Sequence, residues 1–138
     1  MLRIKLSTDL DLIKRLDAVT FPKEELTDYQ LARSTWWVAF LDGEPVGYCG
    51  AREIGGDPET VFLSRAAVIE SARGQGLQRK LIAKRLAWGR SRGKSWAITY
   101  TARDNCASSN NLIRSGFKLY RPEWCWAGTE FLYWKRAL

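Results

Sequence analysis

The hydrophobic period of the chain switches repeatedly between that of strands and that of helices. Leu2-Arg3-Ile4-Lys5-Leu6 alternates apolar with charged residues, as a strand with one buried face does. Ser7 or Thr8 can cap a helix running to about Ala18, with Leu10, Ile13, Leu16 and also Leu12 turned inward. Phe21-Pro22 interrupts the chain, and a second short helix is expected over about Lys23–Arg33. Thr35–Leu41 predicts a strand, Asp42-Gly43 a hairpin turn, and Pro45 to about Glu53 the returning strand. Gly55-Gly56-Asp57-Pro58 predicts a second turn, followed by a mostly apolar strand over Thr60–Ile69.

In the second half, Leu77, Leu81, Ile82, Leu86 and Trp88 form a helical stripe to about Arg92, which Gly93 can end. Trp96–Thr101 is a strand, and Ala107–Ser115 a short helix closed by Gly116. Phe117–Tyr120 and Phe131–Lys135 complete the set as strands. The order β-α-α-β-β-β-α-β-α-β-β predicts an α/β fold with a mixed sheet of about seven strands and four helices. Its early part should be antiparallel, with one β-α-β crossover in the middle.

With 138 residues, 46% of them hydrophobic, the chain suits one domain (1–138) with a real core. Its apolar runs fall far short of a membrane span, so a soluble cytoplasmic protein without a membrane partner is expected. Cys49, Cys106 and Cys125 are odd in number and widely spaced, which speaks against a disulfide framework. The absence of histidine removes every His-based triad, the histidine general base and the common zinc sites, so no metal is expected.

Charge is uneven. Residues 1–70 hold eight Lys/Arg against twelve Asp/Glu, whereas residues 71–138 hold fourteen against three. No acidic residue lies between Ser71 and Arg103. That field suits a polyanion, whether a nucleotide cofactor, nucleic acid or an acidic protein, or else is a solvated helix face.

The basic half opens on Arg73-Gly74-Gln75-Gly76-Leu77-Gln78, a glycine-rich turn between a strand and a helix start. Glycines let the backbone approach a ligand closely, and the first helical N–H groups have no internal partner. Those groups sit at the positive end of the helix dipole, so the turn is a candidate phosphate site, with Arg73 adding a full charge. One strand later, Asn105-Cys106-Ala107-Ser108 starts a short helix that ends at Gly116-Phe117.

This combined pattern resembles the GNAT superfamily, the Gcn5-related N-acetyltransferases. Element order carries the resemblance over nearly the whole chain, and sequence-specific motifs over roughly Val61 to Phe117. The family's cofactor motif is Arg/Gln-x-x-Gly-x-Gly/Ala, and only its last position departs, where Gln78 replaces a small residue. The resemblance implies a splayed pair of central strands, Thr60–Ile69 and Trp96–Thr101, with acetyl-CoA in the gap. Backbone groups near Ala66 and Val68 would pair with the pantetheine arm. The backbone N–H groups of Gly74, Gln75, Gly76, Leu77, Gln78 and Arg79 would cradle the pyrophosphate. Asn105 would complete the cofactor site.

One family version of the second motif carries a tyrosine seven residues after the asparagine as general acid; here that position is Leu112. The other, similar to ribosomal-protein N-terminal acetyltransferases, carries a serine three residues after it, and Ser108 matches. A hydroxyl near the sulfur can stabilise or protonate the leaving thiolate, which makes Ser108 the catalytic candidate. The other role open to it is capping the helix. Cys106 reads as a passive helix-start residue, since a nucleophile would need a histidine partner. Glu24, Glu25, Asp28 and Glu53 are carboxylates near the region that shapes the acceptor site in this family, and none stands out as a base.

The seven tryptophans read mainly as core. Alternation in Trp124-Cys125-Trp126 puts both indoles on one sheet face, where they could line an acceptor pocket, form a homodimer contact or stack on bases. The function implied is acetyl transfer from acetyl-CoA to a primary amine by direct attack in a ternary complex. Two alternatives stay open: a catalytically weak acyl-CoA-binding or interaction module, and an enzyme for a nucleic-acid-linked amine such as charged tRNA.

Overall fold

The computed structural model describes all 138 residues. Its strands are β1 (Leu2–Ser7), β2 (Thr35–Leu41), β3 (Glu44–Ile54), β4 (Asp57–Val68), β5 (Trp96–Ala102), β6 (Lys118–Leu119) and β7 (Phe131–Ala137). Its helices are α1 (Leu10–Thr20), α2 (Asp28–Arg33), α3 (Leu77–Ser91) and α4 (Cys106–Arg114), with a single 3-10 turn at Glu70–Ala72. The strands form one sheet in the order β1-β2-β3-β4-β5-β7-β6. Every neighbouring pair is antiparallel except β4–β5, which is parallel and joined by α3. The predicted order of elements and the mixed sheet are those observed.

Each sheet face buries its own core. Trp37, Cys49, Val61 and Leu63 meet Leu81, Leu86 and Leu112 under α3 and α4. On the other face, Trp36, Val38 and Tyr48 meet Ile13, Leu16 and Leu31 under α1 and α2. Alternation along β2 and β3 divides these residues between the two layers.

Local signals explain most boundaries. Asp42 and Gly43 turn the β2–β3 hairpin with φ of 50° and 85°, the left-handed pair that such a tight turn requires. Helices α3 and α4 both end in a Schellman motif. In α4, Gly116 N–H donates to Ile113 O and Phe117 N–H to Leu112 O, and Leu112 and Phe117 are both buried.

Several expectations need correction. Asp9, not Ser7 or Thr8, caps α1, accepting from Leu12 N–H at 3.1 Å. A carboxylate also complements the helix dipole, which a hydroxyl does not. Leu10, expected to turn inward, is exposed, while Ile13 and Leu16 are buried. Helix α2 begins at Asp28 rather than near Lys23, because Thr27 and Gln30 form a reciprocal capping box there. Asp57-Pro58 belongs to β4, leaving Gly55-Gly56 as the turn. Strand β6 is only two residues long, since Phe117 is bound into the helix ending. Trp124-Cys125-Trp126 is not a strand. Trp124 is exposed, and Trp126 alone packs inward, against Phe62, Tyr100 and Tyr133.

Candidate active site

The site begins with a defect in the β3–β4 ladder. Cys49 pairs with Ala66, but Ala51 pairs with Leu63, so Gly50 alone faces both Ser64 and Arg65. The extra residue in β4 is a β-bulge, which bends its strand. Gly50 is required there. A Cβ at this position would lie 2.6 Å from Ser64 Oγ and 2.7 Å from the Trp36 ring.

As a result β4 pairs with β5 only over Thr60–Phe62 and Trp96–Ile98. A last link runs from Thr99 Oγ1 to Leu63 O at 2.8 Å, and beyond it the strands separate. The rest of β4 has one edge free. Ile69 N–H donates to Val46 O across the β3 side. With a period of two, Ala67 also faces β3, and the N–H and C=O groups of Ala66 and Val68 face the gap.

A cavity of about 480 Å³ fills that gap. Gln78, Ile82 and Arg85 line it from one face of α3, and Asn105, Ser108, Asn111 and Leu112 from α4. Phe21, Glu24, Tyr29 and Arg33 close the α1–α2 side, and Arg52, Phe62, Arg65 and Tyr100 line it from the sheet. Four arginines thus meet one carboxylate, Glu24, around the cavity.

The glycine turn lies where β4 leads into α3. Gly74 and Gly76 have φ of 80° and 76°, a conformation costly for residues with a Cβ. The first bond of α3 is Lys80 N–H to Gly76 O at 3.2 Å, and no N–H from Gly74 to Arg79 donates to another backbone group. This is a run of oriented donors at a helix N-terminus, suited to a phosphate anion. Arg73 folds back so that its Nε donates to Val68 O at 3.0 Å.

Of the predicted site residues, Ala66, Gln78, Asn105 and Ser108 share the cavity. Arg73, Gly74, Gln75, Gly76, Leu77 and Arg79 belong to the adjoining turn, and Val68 ends the free edge. Asn105 caps α4, its Oδ1 accepting from Ser108 N–H at 3.2 Å. The Ser108 hydroxyl is therefore not the cap, and it makes no hydrogen bond within the protein. Leu112, where a tyrosine would stand in the other motif version, is buried at the cavity wall. Of the carboxylates considered as bases, Glu24 alone lines the cavity. Asp28 pairs with Lys14 at 3.2 Å and Glu53 with Lys94 at 3.3 Å.

Two arrangements were not anticipated. Asp17, buried in α1, accepts from Arg65 Nε at 2.6 Å and from the Tyr48 hydroxyl. Burial works against the Arg65 charge, but Asp17 outweighs it and raises the pKa. Burial, then Asp17, pushes the Tyr48 hydroxyl far above the usual tyrosine range. Arg65 also donates to Glu24 O at 2.6 Å, which ties the α1–α2 connection to the bulged strand. The one available signal was Asp17 itself, a charge on the inward face of a helix whose Ile13 and Leu16 are buried. The second is Arg85, expected on a solvated basic face but 4% exposed and bound only to the carbonyls of Leu81 and Gly50. Burial lowers its pKa.

The sequence model of the Acetyltransferase (GNAT) family matches residues 9–117. The chain belongs to that family. No curated protein matches it in sequence. Among solved structures, the IAA acetyltransferase from Bacillus cereus ATCC 14579 superposes with a TM-score of 0.82 at 18% identity, covering 100% of both chains. Arabidopsis thaliana Naa50 in complex with the bisubstrate analogue CoA-Ac-MVNAL gives 0.83 at 16% identity, covering 99% of each chain. A GNAT family acetyltransferase from Elizabethkingia anophelis with acetyl-CoA bound gives 0.78 at 18% identity, covering 99% of this chain and 98% of that one. At such identities the likeness is one of fold.

Proposed function

We propose that the protein transfers an acetyl group from acetyl-CoA to the primary amine of an acceptor, with both substrates bound at once across the β4–β5 gap. The carrying observation is the free edge of β4. It opens onto one cavity, lined on one side by α3 from Gln78 on, just past the glycine turn, and on the other by the α1–α2 wall. The residues present fit acetyl-CoA. Ala66 and the N–H of Val68, whose carbonyl Arg73 already engages, offer strand-type hydrogen bonds to the pantetheine arm. The N–H groups of Gly74 to Arg79 suit the pyrophosphate, with the charges of Arg73 and Arg79 beside them. The solved relatives with acetyl-CoA or a CoA-peptide analogue bound support the same reading for this fold.

Acetyl-CoA supplies an acyl group on a thiol leaving group. The neutral amine nitrogen bonds to the acetyl carbon as the carbon–sulfur bond breaks; one amine proton is lost and the thiolate gains one. A backbone N–H of the free β4 edge near Val68 polarises the acetyl carbonyl, and the unengaged Ser108 hydroxyl supports the thiolate.

A thiol-release assay with acetyl-CoA across amino acids, peptide α-amines, lysine side chains and polyamines tests the reading. Release that depends on at least one amine is the expected result. Acetyl-CoA binding with no release for any amine would leave a CoA-binding module instead.

A further inference from the structure

We infer that the acceptor is a small amine that also carries a carboxylate and an apolar or aromatic group, that is, a free amino acid of this kind. This rests on the acetyl-transfer reading and names the substrate class of the same site. The cavity's charge points there. Arg33 and Arg52 line it with no acidic group within 4 Å, so neither is neutralised by the protein. Both are nevertheless positioned, since the Arg33 guanidinium lies 4.1 Å from the Tyr29 ring centre and that of Arg52 5.1 Å from Phe62. Arg85 has no acidic partner either. The one lining carboxylate, Glu24, lies 3.7 Å from Arg65.

Guanidinium groups held in a partly enclosed cavity favour a planar anion such as carboxylate, which two N–H groups can bind together. They disfavour a polyamine or a lysine-rich segment, which would bring like charge. They also help the chemistry. Nearby cations lower the pKa of the acceptor's ammonium group and raise the share of the neutral, nucleophilic amine. That serves a site whose one lining carboxylate, Glu24, is paired with Arg65.

The apolar part has its own surface. Phe62 and Tyr100 stack with ring planes 5° apart, and Phe131 meets Tyr100 edge-on at 5.0 Å, all three at the cavity. The volume, about 480 Å³ for both reacting ends, suits a small molecule. The Arg65–Asp17–Tyr48 bonds hold the opposite wall in place.

Calorimetric titration of the whole chain in the presence of CoA, which has no acetyl group to give, reads acceptor binding without turnover. The probes are phenylalanine, leucine, methionine, phenylalanine amide and spermidine. At least one of the three amino acids should bind tenfold or more tightly than the amide, and spermidine should not bind. Arg52→Gln or Arg33→Gln, checked for folding by circular dichroism, should bring the amino acid down to the amide's affinity and leave acetyl-CoA affinity unchanged. Equal binding of acid and amide, no binding of any of the three amino acids, or a preference for spermidine would overturn the inference. So would full amino-acid affinity in both arginine variants. Thiol release with polyamines or lysine peptides alone would also overturn it while keeping acetyl transfer. The converse, carboxylate selectivity without acetyl-CoA binding, would sink transfer and leave the charge reading standing.

Discussion

Arg85 Nη1 donates to the carbonyl of Gly50 at 3.3 Å, across the α3–β3 interface. Gly50 is the residue that faces the β4 bulge, where the regular ladder is interrupted. A buried carbonyl gains from a charge-assisted donor such as a guanidinium. Arg85 supplies that donor from the α3 layer, so a buried charge without an acidic partner is tied to the residue that faces the bulge.

Arg85→Met removes that donor while keeping an unbranched chain of similar length. It relieves the burial of a charge but removes a charge-assisted hydrogen bond to the Gly50 carbonyl, worth about 1.5–3 kcal/mol. Urea unfolding should show a net loss, accompanied by weaker acetyl-CoA binding as the bulge relaxes. Wild-type stability with wild-type cofactor affinity would mean that the carbonyl finds another partner.

The Asp17–Arg65–Tyr48 cluster predicts a larger effect. Asp17→Asn leaves Arg65, whose side chain is 19% exposed, without its counter-charge. The expected loss is about 3 kcal/mol, the low end for breaking a buried pair, because Arg65 keeps some access to water. Tyr48→Phe removes only one hydrogen bond, though to a charged acceptor, and should cost about 1.5–2 kcal/mol. Denaturant midpoints for the two variants check this order.

Stability should also fall in alkali. Burial pushes the Cys49 thiol up to about 11 from an ordinary value of 9.0. The folded state thus keeps its proton where the unfolded chain loses it, so this contribution is full below pH 9 and declines as pH rises toward 11. Two pH units correspond to about 2–3 kcal/mol. Tyr48, raised in the same direction, adds a further decline above about pH 10. Unfolding free energies from pH 8 to 11 should fall less steeply in Cys49→Ala, and identical slopes would contradict the assignment.

What the sequence revealed and what it hid separate by range. The Asp42-Gly43 hairpin, the Gly74–Gly76 turn and the Gly93 and Gly116 helix ends were legible because each depends on the φ of a residue or two. The family motifs carried the rest of the outline. The bulge was not legible, because it is a register relation between β3 and β4. Nor were the partners of Arg65 and Arg85, which lie 48 and 35 positions away. Trp124-Cys125-Trp126 misled because alternation alone does not make a strand. Backbone groups of Ala127 and Gly128 instead bond the Tyr133 hydroxyl at 2.9 and 2.7 Å.

The glycine turn can be tested with a matched pair. Asn and Asp both tolerate the left-handed conformation of Gly76, so Gly76→Asn and Gly76→Asp carry similar backbone strain. Only Asp adds a negative charge among the free N–H groups. Acetyl-CoA should bind the Asp variant at least tenfold more weakly than the Asn variant, with similar circular dichroism spectra. Equal affinities would place the phosphates elsewhere.

The role of Ser108 is the sharpest case, because the structure separates its two candidate roles. Asn105 supplies the α4 cap, so Asn105→Ala should cost about 1 kcal/mol of stability. Ser108→Ala removes no cap and should change stability by less than about 0.5 kcal/mol. If the hydroxyl supports the leaving thiolate, kcat should fall roughly tenfold to a thousandfold while the acetyl-CoA KM hardly moves, as for an interaction made mainly in the transition state. An unchanged kcat in a folded Ser108→Ala protein would retire the serine. Tyr100 would follow as candidate, since its ring lines the same cavity, whereas Tyr120 packs against Tyr133 at 6.5 Å away from it. Tyr100→Phe, which keeps the aromatic wall and removes only the hydroxyl, would then be the variant whose kcat should drop.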